Sequence, residues 1–178
     1  MKTPLYLLAA ALISHPALAE FRLTSTDIQV GKIMSKQQEF QGFGCDGANL
    51  SPQLSWDGAP AGTRSYAITV YDPDAPTGSG WWHWLTFNLP ASVTSLAAGA
   101  SGTAMPAGSI ESRTDYGVAG FGGACPPQGD KAHRYQFTVF ALDTDKLALG
   151  ADSSGALVGY YLNAHALGKA TLETLYQR

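Results

Sequence analysis

Along most of the chain, apolar and polar positions alternate with period two, in short runs closed by turn residues. Phe21–Ser25 is one such run, and Leu54–Trp56 is another, ended by the turn Asp57-Gly58-Ala59-Pro60. Ser65–Tyr71 places Tyr66, Ile68 and Val70 on one face. Trp82–Leu89 follows a Gly-rich turn at Gly78-Ser79-Gly80. Arg134–Leu142 places Tyr135, Phe137 and Val139 on one face, and Thr171–Tyr176 is a weaker closing run. Period-two runs bounded by turns predict antiparallel strands. One segment departs from this pattern. Ser153 or Ser154 can cap a helix running to about Leu167, with Leu157, Tyr160, Tyr161 and Ala164 on one face and Gly168 as its stop. The expectation is an all-β dominated fold, an antiparallel β-sandwich with one main helix near the C-terminus. Loops 72–81 and 114–132 are long and rich in Gly and Pro, and loops of that kind more often carry function than merely connect.

The start of the chain follows another rule. Lys2 supplies a positive charge, Leu5–Ile13 is apolar apart from Tyr6, and Ala17-Leu18-Ala19 offers small residues where a signal peptidase reads. Residues 1–19 are therefore expected to be a signal peptide cleaved before Glu20. The apolar run is too short to span ~30 Å of hydrocarbon, so stable membrane insertion is not expected. No repeat, charge block or linker divides residues 20–178, which read as a single domain. Export to the periplasm or beyond is the expected destination.

With 45% hydrophobic and 14% charged residues, the chain has an ordinary globular balance. A net charge of −3 leaves no basic footprint for nucleic acid. Cys45 and Cys125 are the two cysteines. In an oxidising compartment an even pair usually bonds, so a Cys45–Cys125 disulfide is expected. The rival readings are a zinc site or a catalytic thiol, but no C-x-x-C occurs. Asn49-Leu50-Ser51 matches a glycosylation triplet, but Pro52 follows it and the leader is bacterial in type, so it is discounted.

Three patches carry candidate chemistry. Asp72-Pro73-Asp74-Ala75-Pro76 follows directly on a strand, and its prolines restrict the carboxylates to few positions. Asp72 is the better pocket candidate, because Asp74 fits equally well in a turn. In Trp81-Trp82-His83-Trp84, strict alternation puts His83 opposite Trp82 and Trp84, beside Trp81 and Leu85. A lone strand histidine is more often a hydrogen-bonded core residue than a ligand-binding one. Gly122-Gly123-Ala124-Cys125-Pro126-Pro127-Gln128-Gly129 leads into His133-Arg134-Tyr135, with His133 and Tyr135 pointing one way and Arg134 the other. Such glycines free backbone N–H groups to converge on an anion, although neither nucleotide-binding glycine motif is present.

Taken together, these patches resemble the phosphatidylethanolamine-binding protein family, also called the Raf kinase inhibitor protein family, in its exported bacterial YbhB/YbcL type. The resemblance rests on D-P-D-A-P at Asp72–Pro76, W-H-W at Trp82–Trp84, P-P-x-G-x-x-x-H-R-Y at Pro126–Tyr135, and the stretch Asn49–Trp56. It covers the chain from about Phe21 to the end. It implies two antiparallel sheets and a small pocket for phosphate-type anions, formed by Asp72, His83, His133 and Tyr135, with Ala75, Pro76, Pro126 and Pro127. Backbone N–H groups from Gly123 to Cys125 are expected to help hold the anion. Cys125 stands where many relatives have glycine, and a bond to Cys45 would stiffen that wall. The bacterial branch also implies a homodimer.

The expected function is non-enzymatic binding of a phosphorylated small molecule, lipid head group or phosphoprotein, without a cofactor. Asp72 would orient an imidazole, and protonated histidine would strengthen anion binding at acidic pH. A second reading is an inhibitor or interaction module acting on a protease or kinase. A third is a metal-dependent enzyme, since His83, His133 and Asp72 formally match a 2-His-1-carboxylate set. No G-x-S-x-G nucleophile motif is present.

Overall fold

A computed structural model describes residues 20–178; the expected signal peptide lies outside the described residues. The strands are β1 (Arg22–Thr24), β2 (Gln41–Gly42), β3 (Cys45–Asp46), β4 (Leu54–Asp57), β5 (Ser65–Asp72), β6 (Trp81–Pro90), β7 (Ser95–Leu96), β8 (Ile110–Glu111), β9 (His133–Leu142) and β10 (Ala166–Tyr176). The helix α1 spans Gly155–His165. A five-stranded antiparallel sheet has the order β10-β9-β5-β6-β8, and a three-stranded one has the order β1-β4-β7. β2 and β3 form a separate hairpin. This is the β-rich architecture with a single helix near the C-terminus that the alternation predicts.

The two faces of the larger sheet bury different things. Tyr66, Ile68 and Val70 of β5 join Tyr135, Phe137 and Val139 of β9 in a cluster that also takes Leu23, Leu54, Trp56 and Leu96 from the smaller sheet. On the opposite face, Ala67, Leu85, Phe87 and Leu142 pack under Val158 and Leu162 of α1. The central strand β5 is therefore covered on both sides, and only Tyr71 in it is not fully buried. Burying a side chain such as Phe137 or Ile68 stabilises the fold by about 1.5–3 kcal/mol.

Two features of the helix differ from expectation. The Ser154 cap forms, its Oγ accepting the Leu157 N–H at 3.3 Å. The buried face, however, consists of Gly155, Val158 and Leu162, while Leu157 and Tyr160 are 44% and 71% exposed. The phase is set by close packing: a Cβ on Gly155 would lie 2.3 Å from the Trp82 ring. The largest apolar residues were thus the wrong guide, because the contact needs the smallest one. Gly168 does not stop the helix either. The chain turns at Ala166 directly into β10, which begins five residues earlier than Thr171. Gly168 sits at an irregularity in the β10–β9 pairing, where a Cβ would approach Pro60 to 2.9 Å.

β6 contains a second departure from strict alternation. Val70 pairs with Trp84 but Tyr71 pairs with Trp82, so His83 is an extra residue, a β-bulge. Trp84 consequently joins the larger cluster, whereas Trp82 and Leu85 belong to the smaller one. The expectation that Trp82 and Trp84 share a face, with His83 and Leu85 opposite, is corrected by this single inserted residue.

Candidate functional site

Three strand ends meet at one edge of the larger sheet. Antiparallel pairing brings the end of β5 beside the starts of β6 and β9, so that Asp72 faces Trp81 and Tyr71 faces Gln136. Asp72 and His133 close this edge. Nδ1 of His133 lies 2.8 Å from Oδ2 of Asp72, and both side chains are 3% exposed. A carboxylate oxygen accepts, so Nδ1 carries the proton. The other Asp72 oxygen accepts the Asp74 N–H at 2.8 Å. Asp74 itself is largely covered and grips Arg134: Nε donates to Oδ2 at 2.8 Å and Nη2 to Oδ1 at 2.9 Å. These bonds hold the Asp74 carboxyl well below the usual carboxylate range. The Asp74 carboxylate therefore ties the loop to β9, while Asp72 faces inward.

The bulge aims His83 at the glycine loop. Its Nδ1 lies 2.9 and 3.1 Å from the carbonyl oxygens of Gly122 and Gly123. Carbonyls only accept, so this nitrogen is the donor. Nε2 is left with a lone pair in the neutral ring and an N–H in the protonated one. Burial pushes the His83 pKa down, partly opposed by the two carbonyls and Asp72. Tyr135 stands beside the ring, 5.1 Å between centroids, and its buried hydroxyl has no hydrogen-bond partner among the described residues. Burial and the Asp72 charge push this phenol's pKa up, so it remains a proton donor. The Trp81 indole N–H is likewise buried and unpartnered.

These groups line a cavity of about 170 Å³. That is small beside the ~300–1,000 Å³ of drug-sized sites, and suits a small polar group. Asp72, Ala75, Pro76, His83, Pro126, Pro127, His133 and Tyr135 all face it, as does Cys125. Residues 24–177 of this chain match the family model described as phosphatidylethanolamine-binding protein. The chain belongs to the phosphatidylethanolamine-binding protein family. It is 51% identical to the UPF0098 protein YbcL of Escherichia coli K12 over 181 residues, covering 99% of both chains. It is 47% identical to YbhB of the same organism over 157 residues, covering 87% of this chain and 99% of that one. The crystal structure of E. coli YbcL, described as a new member of the mammalian PEBP family, superposes with a TM-score of 0.88 at 54% identity. That match covers 90% of this chain and 99% of the crystallised one.

Within this family member, Gly123 is not where expected. It does not line the cavity, and its N–H donates to Asn49 Oδ1 at 2.7 Å. The Gly122 and Ala124 N–H groups are engaged by the carbonyls of His83 and Gln38, at 2.8 and 2.9 Å. The glycine loop therefore presents carbonyls to His83, and no nest of Gly122, Gly123 and Ala124 amides is open to an anion. Glycine is required at 123 for a different reason: a Cβ would lie 2.3 Å from the Gln38 carbonyl oxygen.

The far wall was less legible. Cys45 and Cys125 form a disulfide, Cα to Cα 6.0 Å, which joins the β2–β3 hairpin to the loop before Pro126. Arg178 reinforces the joint from the C-terminus, its Nε donating to the Pro126 carbonyl at 2.6 Å and Nη1 to that of Gly44 at 2.8 Å. Phe43, Thr77, Trp81 and Tyr116 complete the lining. Tyr116 stacks on Phe40 at 4.0 Å and donates its hydroxyl to the Gly123 carbonyl at 2.9 Å. Phe43 and Arg178 lie in segments with no chemical signature of their own, and Thr77 and Tyr116 lie in the two long loops without a motif that singles them out. The positive φ of Asn49, +54°, marks a backbone position held for its side chain, but φ is invisible in sequence.

Among the described residues, no three His, Cys, Asp or Glu side chains are arranged to hold a metal ion. The formal triad of His83, His133 and Asp72 does not converge as ligands. The two imidazole Nδ1 atoms and both Asp72 oxygens are committed to other protein groups.

Proposed function

We propose that this chain is an exported, non-enzymatic binding protein whose cavity takes a phosphate-type anion. The observation that carries this reading is the Tyr135 hydroxyl, buried at the cavity wall near Asp72, with no partner in hydrogen-bond geometry among the described residues and kept protonated by burial and Asp72. An unsatisfied buried donor costs about 1–3 kcal/mol, and an anionic oxygen would satisfy it. Trp81 offers a second unpartnered N–H, and His83 gains an outward donor on protonation. Asp72 does not oppose the anion freely, because its charge is shared with His133 and the Asp74 N–H.

The non-enzymatic part of the reading rests on the absence of an activated nucleophile among the described lining residues. The Thr77 hydroxyl donates to the Gly80 carbonyl at 2.5 Å, and Cys125 is in the disulfide. Export is supported by that disulfide, which needs an oxidising compartment to persist. Calorimetric titration of the oxidised protein with inorganic phosphate tests the function. Saturable one-to-one binding, lost in His133→Ala, is expected. A folded protein that shows no phosphate binding contradicts the reading.

A further inference from the structure

Asn49 ties the two ends of the segment Phe121–Gly123 together. Its Oδ1 accepts the Gly123 N–H at 2.7 Å, and its Nδ2 donates to the Phe121 carbonyl at 3.2 Å. The backbone that aims this side chain is itself fixed. The N–H groups of Ala48, Asn49 and Leu50 donate to the carbonyls of Lys36, Glu39 and Gln37 at 2.9, 2.9 and 2.8 Å. The φ of +54° at Asn49 is one that asparagine tolerates better than most residues. Between the tied ends, the Gly122 N–H donates to the His83 carbonyl at 2.8 Å. The carbonyls of Gly122 and Gly123 then meet His83 Nδ1 at 2.9 and 3.1 Å. Asn49 does not line the cavity, so its route to the site runs through this loop and the imidazole.

We propose that Asn49 is a positioning residue that fixes the tautomer of His83 and so makes anion binding require a proton. With two carbonyls held at Nδ1, the neutral ring keeps its proton there and turns a lone pair toward the cavity. An anion then meets a donor at Nε2 only after the ring has taken up a proton. Released from the two carbonyls, a neutral ring can carry its proton on Nε2 and donate to the anion with no uptake. The assignment rests on the anion reading of the cavity and adds to it the reason binding is coupled to pH. The titratable groups facing the ring are Asp72, Asp115, Tyr116, Tyr135 and, across the cavity, His133. A substitution at Asn49 leaves all of them in place.

Long-range ¹H–¹⁵N spectra at pH 8 read the neutral ring, with His83→Gln assigning its signals. Wild type shows a protonated Nδ1 and a bare Nε2. Asn49→Gly removes the side chain while keeping the positive φ favourable, and near-ultraviolet circular dichroism shows that it is folded. In this variant the Nε2–H form of His83 appears. The gain in sulfate affinity between pH 8 and pH 5, read by calorimetry, shrinks by about three- to tenfold. Asn49→Asp, which still accepts the Gly123 N–H, keeps the wild-type tautomer. A wild-type ring protonated at Nε2 overturns the assignment without any variant. A folded Asn49→Gly in which His83 keeps the wild-type pattern overturns it as well, because Asn49 would then only stabilise the loop. A wild type that carries the Nδ1 proton but binds no sulfate overturns the anion reading, and the proton coupling with it.

Discussion

Replacing Tyr135 by Phe separates a ligand-binding hydroxyl from a structural one by the sign of two changes. The ring is 1% exposed and packs in the larger core cluster, so Phe keeps its contacts. Only the hydroxyl is lost, and it is buried without a hydrogen-bond partner among the described residues. Removing an unsatisfied polar group from a cavity wall should stabilise the fold by about 1 kcal/mol, taking the low end of the ~1–3 kcal/mol penalty. For a chain of this size that raises Tm by roughly 2–4 °C. Binding should move the other way. A hydrogen bond to a charged acceptor contributes about 1.5–3 kcal/mol, so Kd for phosphate should rise by roughly ten- to a hundredfold. Thermal unfolding without ligand and calorimetry with phosphate read the two effects. A variant that unfolds at lower temperature with unchanged affinity would refute the reasoning, because the hydroxyl would then be bonded within the protein, with nearby Asp72 as the acceptor.

Binding of sulfate, whose charge is constant across the range, should tighten as pH falls from 8 to 5. Burial holds the His83 pKa below its ordinary value, so the free ring is neutral at pH 7 and an anion favours its protonation; calorimetry in buffers of different ionisation enthalpy should show proton uptake. The other titratable groups around this cavity are Asp72, Asp115, Asp130, His133, Tyr116 and Tyr135, and His83→Gln isolates the contribution of His83 by flattening part of the profile. For stability the direction is opposite. Because the folded pKa of His83 is lowered, the unfolded chain binds more protons below about pH 6.5, and stability falls as pH drops through that window. Gly155→Ala should cost about 1–3 kcal/mol by forcing a Cβ into Trp82, whereas exposed Tyr160→Ala should change stability by less than about 0.5 kcal/mol in denaturant titrations. Replacing Cys45 and Cys125 together by Ser should cost about 2–5 kcal/mol, given a separation of 80 residues, and should weaken phosphate binding by loosening the Cys125–Pro127 wall.

The strands that carry the core were legible because each is long enough to show its period. β5 and β9 appear at their expected places, and Tyr135, Phe137 and Val139 share a face as alternation requires. The two-residue strands β2, β3, β7 and β8 were not, since two residues have no period. The helix phase was misread because hydrophobicity favours Leu157 and Tyr160, whereas packing on Trp82 demands Gly155. β10 was shortened because Ala166–Ala170 lacks strand-forming residues and depends on its pairing with β9. In the site, Asp72, His83 and His133 announced themselves by residue type next to rigid loops. The bulge that turns His83 and the clamp from Asn49 to Gly123 depend on backbone geometry and partners far along the chain. Glycine richness at 122–123 suggests free amides, but what those residues provide is close approach, Gly122 to the Tyr116 ring and Gly123 to the Gln38 carbonyl.

The central claim is that His83 and His133 present one anion site, and imidazole ¹H–¹⁵N spectra of the oxidised protein test it most directly as phosphoethanolamine is added. The account predicts saturable shifts at both rings with one shared dissociation constant, while surface His165 stays still. A folded sample in which neither His83 nor His133 responds would contradict it.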